Sequence, residues 1–206
     1  MSVVREATSS QAYGIAVGYQ SNVSAIHVMA LGELAAASGQ ISVAIGASAK
    51  ATGANSYAGG FKAASSGVSS VALGESAASS GDTSVAIGKD TVASGGDGVS
   101  IGTSSQATGS DSLALGKSAK ASNSDSIAVG QDSVANNINS VALGRGAQAT
   151  GASANALGPQ STASATFATA IGMSSVANQE YAIAIGGGSE ATVARGVALG
   201  TYSKAD

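Results

Sequence analysis

The chain has 206 residues, including 29 Gly, and carries a net charge of −3 from nine Lys and Arg against twelve Asp and Glu. It has no Cys and one His, which excludes a disulfide framework and a Cys-based zinc site and leaves little for His-dependent catalysis. The few, scattered basic residues exclude the basic footprint of a nucleic-acid-binding protein. A hydrophobic content of 44% argues against an intrinsically disordered chain.

No segment approaches the roughly 18 consecutive apolar residues of a membrane-spanning helix. The first residues also lack the basic and apolar regions of a secretion signal. We therefore expect that this chain is not itself inserted in a membrane, and that it is either a cytoplasmic protein or a piece of a larger one.

A single period organises the chain. Residues 1–12 precede the first complete repeat and are predicted to form an N-terminal partial coil. From residue 13 to residue 206 glycine recurs every fourteen residues, from Gly18 to Gly200, without any insertion. Such strict self-similarity predicts one repeat domain whose units stack on their neighbours.

The first strand of each repeat precedes this glycine. An Ala lies between two larger apolar residues, as in Val43-Ala44-Ile45-Gly46, and alternation closed by Gly is typical of a strand that ends in a turn. The sequence predicts structural turns at the repeat glycines Gly46, Gly74, Gly88, Gly116, Gly130 and Gly144.

A second strand follows, in which small residues such as Ala49 and Ala51 flank a variable residue such as Lys50. Alternation predicts that the small pair faces inward and the variable residue faces water. Two residues later comes a position that is usually Gly, as at Gly39, and sometimes Asn, as at Asn123, which predicts a turn with positive φ. Strand, turn, strand and turn in each repeat predict an all-β parallel β-roll, a solenoid of about fourteen coils.

The central residue of the first strand is Ala in every repeat but one, in which the equally restricted Ser100 takes its place. We expect the larger pair to pack inside the coil and this Ala to face outward, against another copy of the chain near a symmetry axis. A thin roll with so many small core residues is marginal alone, so we expect an obligate oligomer. The alanines predicted to form the subunit interface are Ala44, Ala72, Ala86, Ala114, Ala128 and Ala142.

The repeats resemble the YadA-like heads of trimeric autotransporter adhesins. The matching motifs include Ser42-Val43-Ala44-Ile45-Gly46, Ser84-Val85-Ala86-Ile87-Gly88 and Ser126-Ile127-Ala128-Val129-Gly130. The resemblance implies a left-handed β-roll in a homotrimer, displayed at the cell surface from the outer membrane of a Gram-negative bacterium. It further implies a virulence-related adhesin that binds host extracellular-matrix proteins or cell-surface receptors. Since the chain shows no stalk or anchor pattern, we expect an excised head.

Several polar side chains are candidate sites. Asp97, Asp111 and Asp125 recur at one position of successive repeats, and we interpret them as a solvated turn column in preference to a cation site. His27 has no His, Cys or acidic cluster near it in the sequence and is interpreted as a surface residue. We therefore predict no catalytic residue, no metal site and no cofactor.

Charged columns and irregular repeats complete the pattern. Glu75 and Lys89 occupy one column, where their opposite charges favour the correct alignment of adjacent coils. Lys117 and Arg145 occupy the same position two repeats apart, with Gln131 between them. In one repeat Gly59 replaces a large residue, and Tyr57 or Phe61 is expected to fill its volume. Asn155 and Thr169 replace the first large residue in adjacent repeats and are expected to hydrogen-bond to each other.

Two alternatives to an adhesin head are an ice-binding β-solenoid and a purely structural spacer of a surface fibre. The ice-binding class needs Thr at a fixed outward position, whereas the outward position of the second strand mixes residues such as Lys50, Val92 and Glu190. A β-helix acyltransferase would have hexapeptide spacing and usually a catalytic His. We therefore expect no enzymatic activity.

Overall fold

The structure, a computed structural model, describes residues 6–206 of the chain. Within this range it contains 29 β-strands and no helix. Strands of three residues alternate with strands of two, and each kind pairs in parallel with its own kind. The prediction of an all-β parallel solenoid is confirmed. The first five residues of the predicted partial coil lie outside the described residues.

The chain divides into two compact units, Met1–Ser104 and Ser105–Asp206. In the first unit the short strands are β1 (Thr8–Ser9), β3 (Asn22–Val23), β5 (Ala36–Ala37), β7 (Lys50–Ala51), β9 (Ala64–Ser65), β11 (Ala78–Ser79) and β13 (Val92–Ala93). Its long strands are β2 (Ile15–Val17), β4 (Met29–Leu31), β6 (Val43–Ile45), β8 (Tyr57–Gly59), β10 (Val71–Leu73), β12 (Val85–Ile87) and β14 (Val99–Ile101).

The second unit repeats this arrangement. Its short strands are β15 (Gln106–Ala107), β17 (Lys120–Ala121), β19 (Val134–Ala135), β21 (Gln148–Ala149), β23 (Thr162–Ala163), β25 (Val176–Ala177), β27 (Glu190–Ala191) and β29 (Lys204–Ala205). Its long strands are β16 (Leu113–Leu115), β18 (Ile127–Val129), β20 (Val141–Leu143), β22 (Asn155–Leu157), β24 (Thr169–Ile171), β26 (Ile183–Ile185) and β28 (Val197–Leu199).

Within each unit every strand pairs with its equivalent one repeat away. Val71 aligns with Val85 in the long strands, and Ala78 aligns with Val92 in the short ones. The ladder continues through the turns, where the Ser76 N–H donates to the Phe61 carbonyl at 2.8 Å. Bonds of this kind between coils satisfy much of the turn backbone.

The turns differ from the prediction in one respect. A residue with left-handed φ recurs every seven residues, at positions such as Ile41 (φ 58°), Ser48 (φ 58°) and Asn55 (φ 56°). The prediction of positive φ at Gly39 is wrong, because the left-handed residue lies two positions later. Gly39 is required for another reason: a Cβ there would lie closer than 3.0 Å to the Gly53 carbonyl of the next coil.

The six predicted turn glycines lie between a long strand and the following short strand. Their φ values lie between 129° and 136°, a region that only glycine occupies readily. At each of them a Cβ would also lie closer than 3.0 Å to the glycine backbone one coil further on. Conformation and close stacking therefore both require glycine at Gly46, Gly74, Gly88, Gly116, Gly130 and Gly144.

The predicted orientation of the long strand is wrong. Its central alanines, which were expected on an outer interface, have no exposed surface in the single chain: Ala44, Ala72, Ala86, Ala114, Ala128 and Ala142 are all 0% exposed. They lie in the interior with the small pair of the short strand, such as Ala49 and Ala51. The inward orientation of that small pair agrees with the prediction.

The interior accepts only small side chains along most of its length. Its buried residues are Ala, Ser and Gly, joined by Thr91 and, near the N-terminus, by Val23 and Val28. In the coil that starts at Val71, four residues connect β10 to β11 and five connect β11 to β12. Such short connections hold the two sheets close together, so the larger residue pair of each long strand must point outward.

Buried serines complete the core, a role that sequence reasoning missed. The Ser70 hydroxyl donates to the Gly67 carbonyl at 2.7 Å, and the Ser133 hydroxyl donates to the Gly130 carbonyl at 2.8 Å. Each satisfies a turn carbonyl three residues earlier, as short hydroxyl side chains commonly do. Ser recurs in the sequence before the long strands, as at Ser70, and before several short strands, as at Ser133, and this recurrence was the available signal.

Candidate assembly and binding surfaces

The outer faces of the long strands are apolar in both units. We call these outer side chains, the first and third residues of each long strand, the aliphatic face. None of them is buried in the single chain, and Ile45, Leu115 and Leu143 are 36%, 40% and 48% exposed. No charged residue occupies the aliphatic face, and all its members except Gly59, Asn155 and Thr169 are large and apolar. Repeated uncharged apolar surface of this kind marks an interaction site.

Three irregular repeats modify the aliphatic face. In the first unit Tyr57 fills the place of the side chain missing at Gly59, since a Cβ there would lie 2.9 Å from Tyr57 Cε1 and 2.7 Å from Leu73 Cδ2. In the second unit Asn155 and Thr169 are register partners. The expected hydrogen bond between them is not formed; the Asn155 amide donates instead to the Ser153 carbonyl at 3.5 Å.

The outer faces of the short strands have a different character. Their outward residues include the exposed Lys50, Gln106 and Lys120 and the half-buried Val92 and Val134. The predicted outward orientation of this variable residue is confirmed. Because the column mixes charged, amide and aliphatic side chains, it lacks the regular Thr array of an ice-binding face.

Two ion pairs lie on the surface of the described residues, one in the turns that follow the long strands and one on the outer faces of the short strands β27 and β29. Lys89 Nζ lies 3.1 Å from Glu75 Oε1, as the charge column predicted, and Lys204 Nζ lies 2.9 Å from Glu190 Oε2. The hydrogen bond to Glu75, followed by the negative charge of Glu75, raises the pKa of Lys89 above the ordinary value of a lysine. Glu190 raises the pKa of Lys204 in the same way. Both pairs are exposed, so their effect on stability is small.

The pair between Glu75 and Lys89 has a testable pH dependence. A lysine whose folded-state pKa is raised contributes stability below its unfolded pKa, and this contribution is lost as the pH rises through the raised pKa. We therefore expect Glu75→Gln to lower the thermal midpoint slightly at neutral pH and to have no effect once Lys89 is deprotonated. Glu33→Gln, in the same column and without an ion-pair partner in the described structure, is the control. A constant difference across that pH range would contradict the assignment.

Exposed rings stack along the other turns. Tyr13 and His27 stack at a centroid distance of 4.9 Å, and Phe167 and Tyr181 stack at 5.0 Å. The Arg195 guanidinium lies 5.8 Å from the Tyr181 ring centroid. His27 is thus an exposed, stacked residue, in agreement with its interpretation as a surface histidine.

The three aspartates are exposed turn residues. The Thr83 hydroxyl donates to Asp97 within the first unit, while Asp111 and Asp125 belong to the second unit. Across residues 6–206 no cluster of three His, Cys, Asp or Glu side chains has a geometry that would hold a metal ion. The same part of the chain contains no pocket and no helix of membrane-spanning length.

Comparison with known proteins identifies the repeat. The model of the YadA head domain repeat, which spans two copies, matches seven consecutive segments: residues 9–35, 37–63, 65–91, 93–119, 121–147, 149–175 and 177–203. Among solved structures, the collagen-binding domain of the Yersinia adhesin YadA is 25% identical. That match covers 92% of this chain and 68% of the other, with a TM-score of 0.28. No curated protein matches the chain.

Proposed function

Because the chain belongs to the YadA head family, we propose that it is the head of a homotrimeric adhesin displayed on the surface of a Gram-negative bacterium. In this proposal it attaches the cell to host extracellular-matrix proteins or cell-surface receptors and has no catalytic role. The observation that carries the proposal is the aliphatic face, present in both units of a chain whose family consists of adhesin heads.

The aliphatic face supports self-association as the basis of assembly. An isolated chain leaves Leu199 71% exposed and Val197 60% exposed, and many other aliphatic residues of the face are more than one-third exposed. Burying large aliphatic side chains contributes roughly 1.5–3 kcal/mol each, whereas the Ala- and Ser-filled interior contributes much less per residue. Copies related by a three-fold axis can each turn the same face toward that axis, so one repeated apolar face can form the centre of a trimer.

Substitution of the aliphatic face tests this assembly. We expect the wild-type protein to sediment as a trimer and the double variant Val71→Glu, Leu73→Glu to sediment as a smaller species, because charges would then be buried without partners. The control is Ala78→Glu in the same coil, which places a carboxylate on the outer face of a short strand, where Glu190 occurs naturally. Sedimentation velocity at graded concentrations, with circular dichroism to verify folding, gives the result. A folded wild-type monomer at low concentration would refute the trimer.

Since the aliphatic face is used for assembly, a ligand would bind to the outer faces of the short strands and to the turns. Equivalent patches recur from coil to coil, so a trimer would gain avidity from weak contacts. We expect saturable binding of the purified head to one of immobilised collagen, fibronectin, laminin or whole cells. The monomeric variant should bind more weakly, on the order of a hundredfold.

Two outcomes would contradict the adhesive role. Failure of the trimer to bind any of these targets would favour a structural spacer. Thermal hysteresis in a solution of the same protein would favour an ice-binding solenoid.

A further inference from the structure

The aliphatic face poses a registration problem for any assembly of identical chains. Val71 aligns with Val85 and Leu73 aligns with Ile87, so adjacent coils present nearly equivalent residues. A chain displaced by one coil along its partner would therefore meet almost the same apolar surface. Weakly specified register of this kind leads to alternative pairings unless some residues break the equivalence.

One pair of residues in the second unit breaks it. The first residues of its long strands form a column that is aliphatic except at two adjacent positions: Leu113, Ile127, Val141, Asn155, Thr169, Ile183 and Val197. Asn155 and Thr169 are both half-buried in the single chain. Within the described residues, the Asn155 carbonyl oxygen and the Thr169 hydroxyl make no hydrogen bond, so both are available to a partner.

We propose that Asn155 and Thr169 form two stacked polar layers that set the axial register of the homotrimer. The inference rests on the trimer proposed above and names the residues of that interface that select the pairing. Rotational symmetry places equivalent residues of the three chains at one height, so each Asn155 meets Asn155 and each Thr169 meets Thr169. An amide supplies both donors and an acceptor and a hydroxyl supplies both functions, so each layer can satisfy itself.

Displacement by one coil removes this match. The Asn155 of one chain then lies level with Val141 of its neighbour, and the neighbour's Thr169 lies level with Ile183. Two polar groups lose their partners inside an apolar interface, which is costly. A polar residue within an apolar seam selects register in coiled coils for the same reason.

Disulfide trapping tests the register directly, because the chain has no cysteine of its own. Leu143 and Leu157 are register partners on the aliphatic face, one coil apart. Chains carrying Leu143→Cys are co-refolded with differently tagged chains carrying Leu157→Cys and then oxidised. Disulfides between like positions report the correct register, and mixed disulfides report displacement by one coil.

We expect the ratio of mixed to like disulfides to rise on the order of tenfold when both chains also carry Asn155→Val and Thr169→Val. These substitutions restore residues that the column holds elsewhere, so folding and trimer formation should persist. Thr162→Val, which removes a hydroxyl from the outer face of a short strand in the same unit, is the control and should leave the ratio unchanged. An unchanged ratio in a trimeric double variant would overturn the inference and leave the trimer intact.

A register-shift variant gives an independent measurement. Val141→Asn, Asn155→Thr and Thr169→Val together move the polar pair one coil earlier. This variant, carrying Leu143→Cys, is mixed with chains that keep the wild-type pair and carry Leu157→Cys. The assembly displaced by one coil should then be favoured, and the mixed disulfide should be the main product. Preference for the undisplaced assembly would overturn the inference. A wild-type protein that sediments as a monomer would overturn both the inference and the trimer.

Discussion

Ala72→Val is expected to lower the free energy of unfolding by about 1–3 kcal/mol, the usual range for overpacking a tightly packed core. Ala72 is 0% exposed and pairs in register with Ala58 and Ala86 along the centre of the long strands. The added methyl groups would have to push apart two sheets that short connections hold together. Thermal and urea unfolding of the purified variant measure the change.

Ala78→Val makes the same chemical change within the same coil and is the matched control. Ala78 is half-buried on the outer face of β11, and its register partner is Val92. Valine should be accommodated there with a change within about 0.5 kcal/mol. If Ala72→Val left unfolding unchanged and altered only the sedimentation of the protein, Ala72 would face a partner chain and the orientation described above would be wrong.

Gly74→Ala is the second substitution with a large expected effect. At φ 136° an alanine is strained, which by itself costs about 1–3 kcal/mol. Its Cβ would also collide with the backbone of Gly88 in the next coil. Since backbone cannot move aside as a side chain can, we expect the coil to open locally, with a lower thermal midpoint and new sites of limited proteolysis.

Gly96→Ala serves as the control for this substitution. Gly96 has a φ outside the glycine-only region, and nothing lies within 4 Å of the position that a Cβ would take. Alanine there should be neutral or stabilising by up to about 1 kcal/mol, because it reduces the freedom of the unfolded chain. Equal losses at Gly74 and Gly96 would contradict the stacking explanation.

Much of the local structure could be predicted because it depends on short-range pattern. Alternation around Ala44 and around Lys50 indicated two strands, and the recurrence of Gly46 indicated the turn that ends the first of them. Other details could not be predicted. In the turn before β6 the left-handed residue is Ile41 and not Gly39. Glycine is needed at Gly39 because the backbone of the next coil lies too close for a Cβ, and this closeness is not visible in the sequence.

The surfaces were only partly predictable, because the repeat specifies which residues are neighbours but not where their side chains point. The pairing of Glu75 with Lys89 follows from equal positions in adjacent repeats and was evident in the sequence. The volume missing at Gly59 was expected to be filled by Tyr57 or Phe61, and the structure shows that Tyr57 fills it. The choice depends on the direction of a side chain, which spacing alone does not specify.

The amino-acid sequence by itself determined the period of fourteen, the two strands of each coil, the parallel stacking and the membership of two alternating sets of residues. Alternation assigns Val43 and Ile45 to one face and Ala44 to the other, but it is symmetric and does not say which face is inside. The tertiary structure decided this, because short turns bring the two sheets so close that in most coils only Ala, Ser and Gly residues fit between them. Ala44 is therefore buried, and the aliphatic residues that would ordinarily form the core are left on the surface.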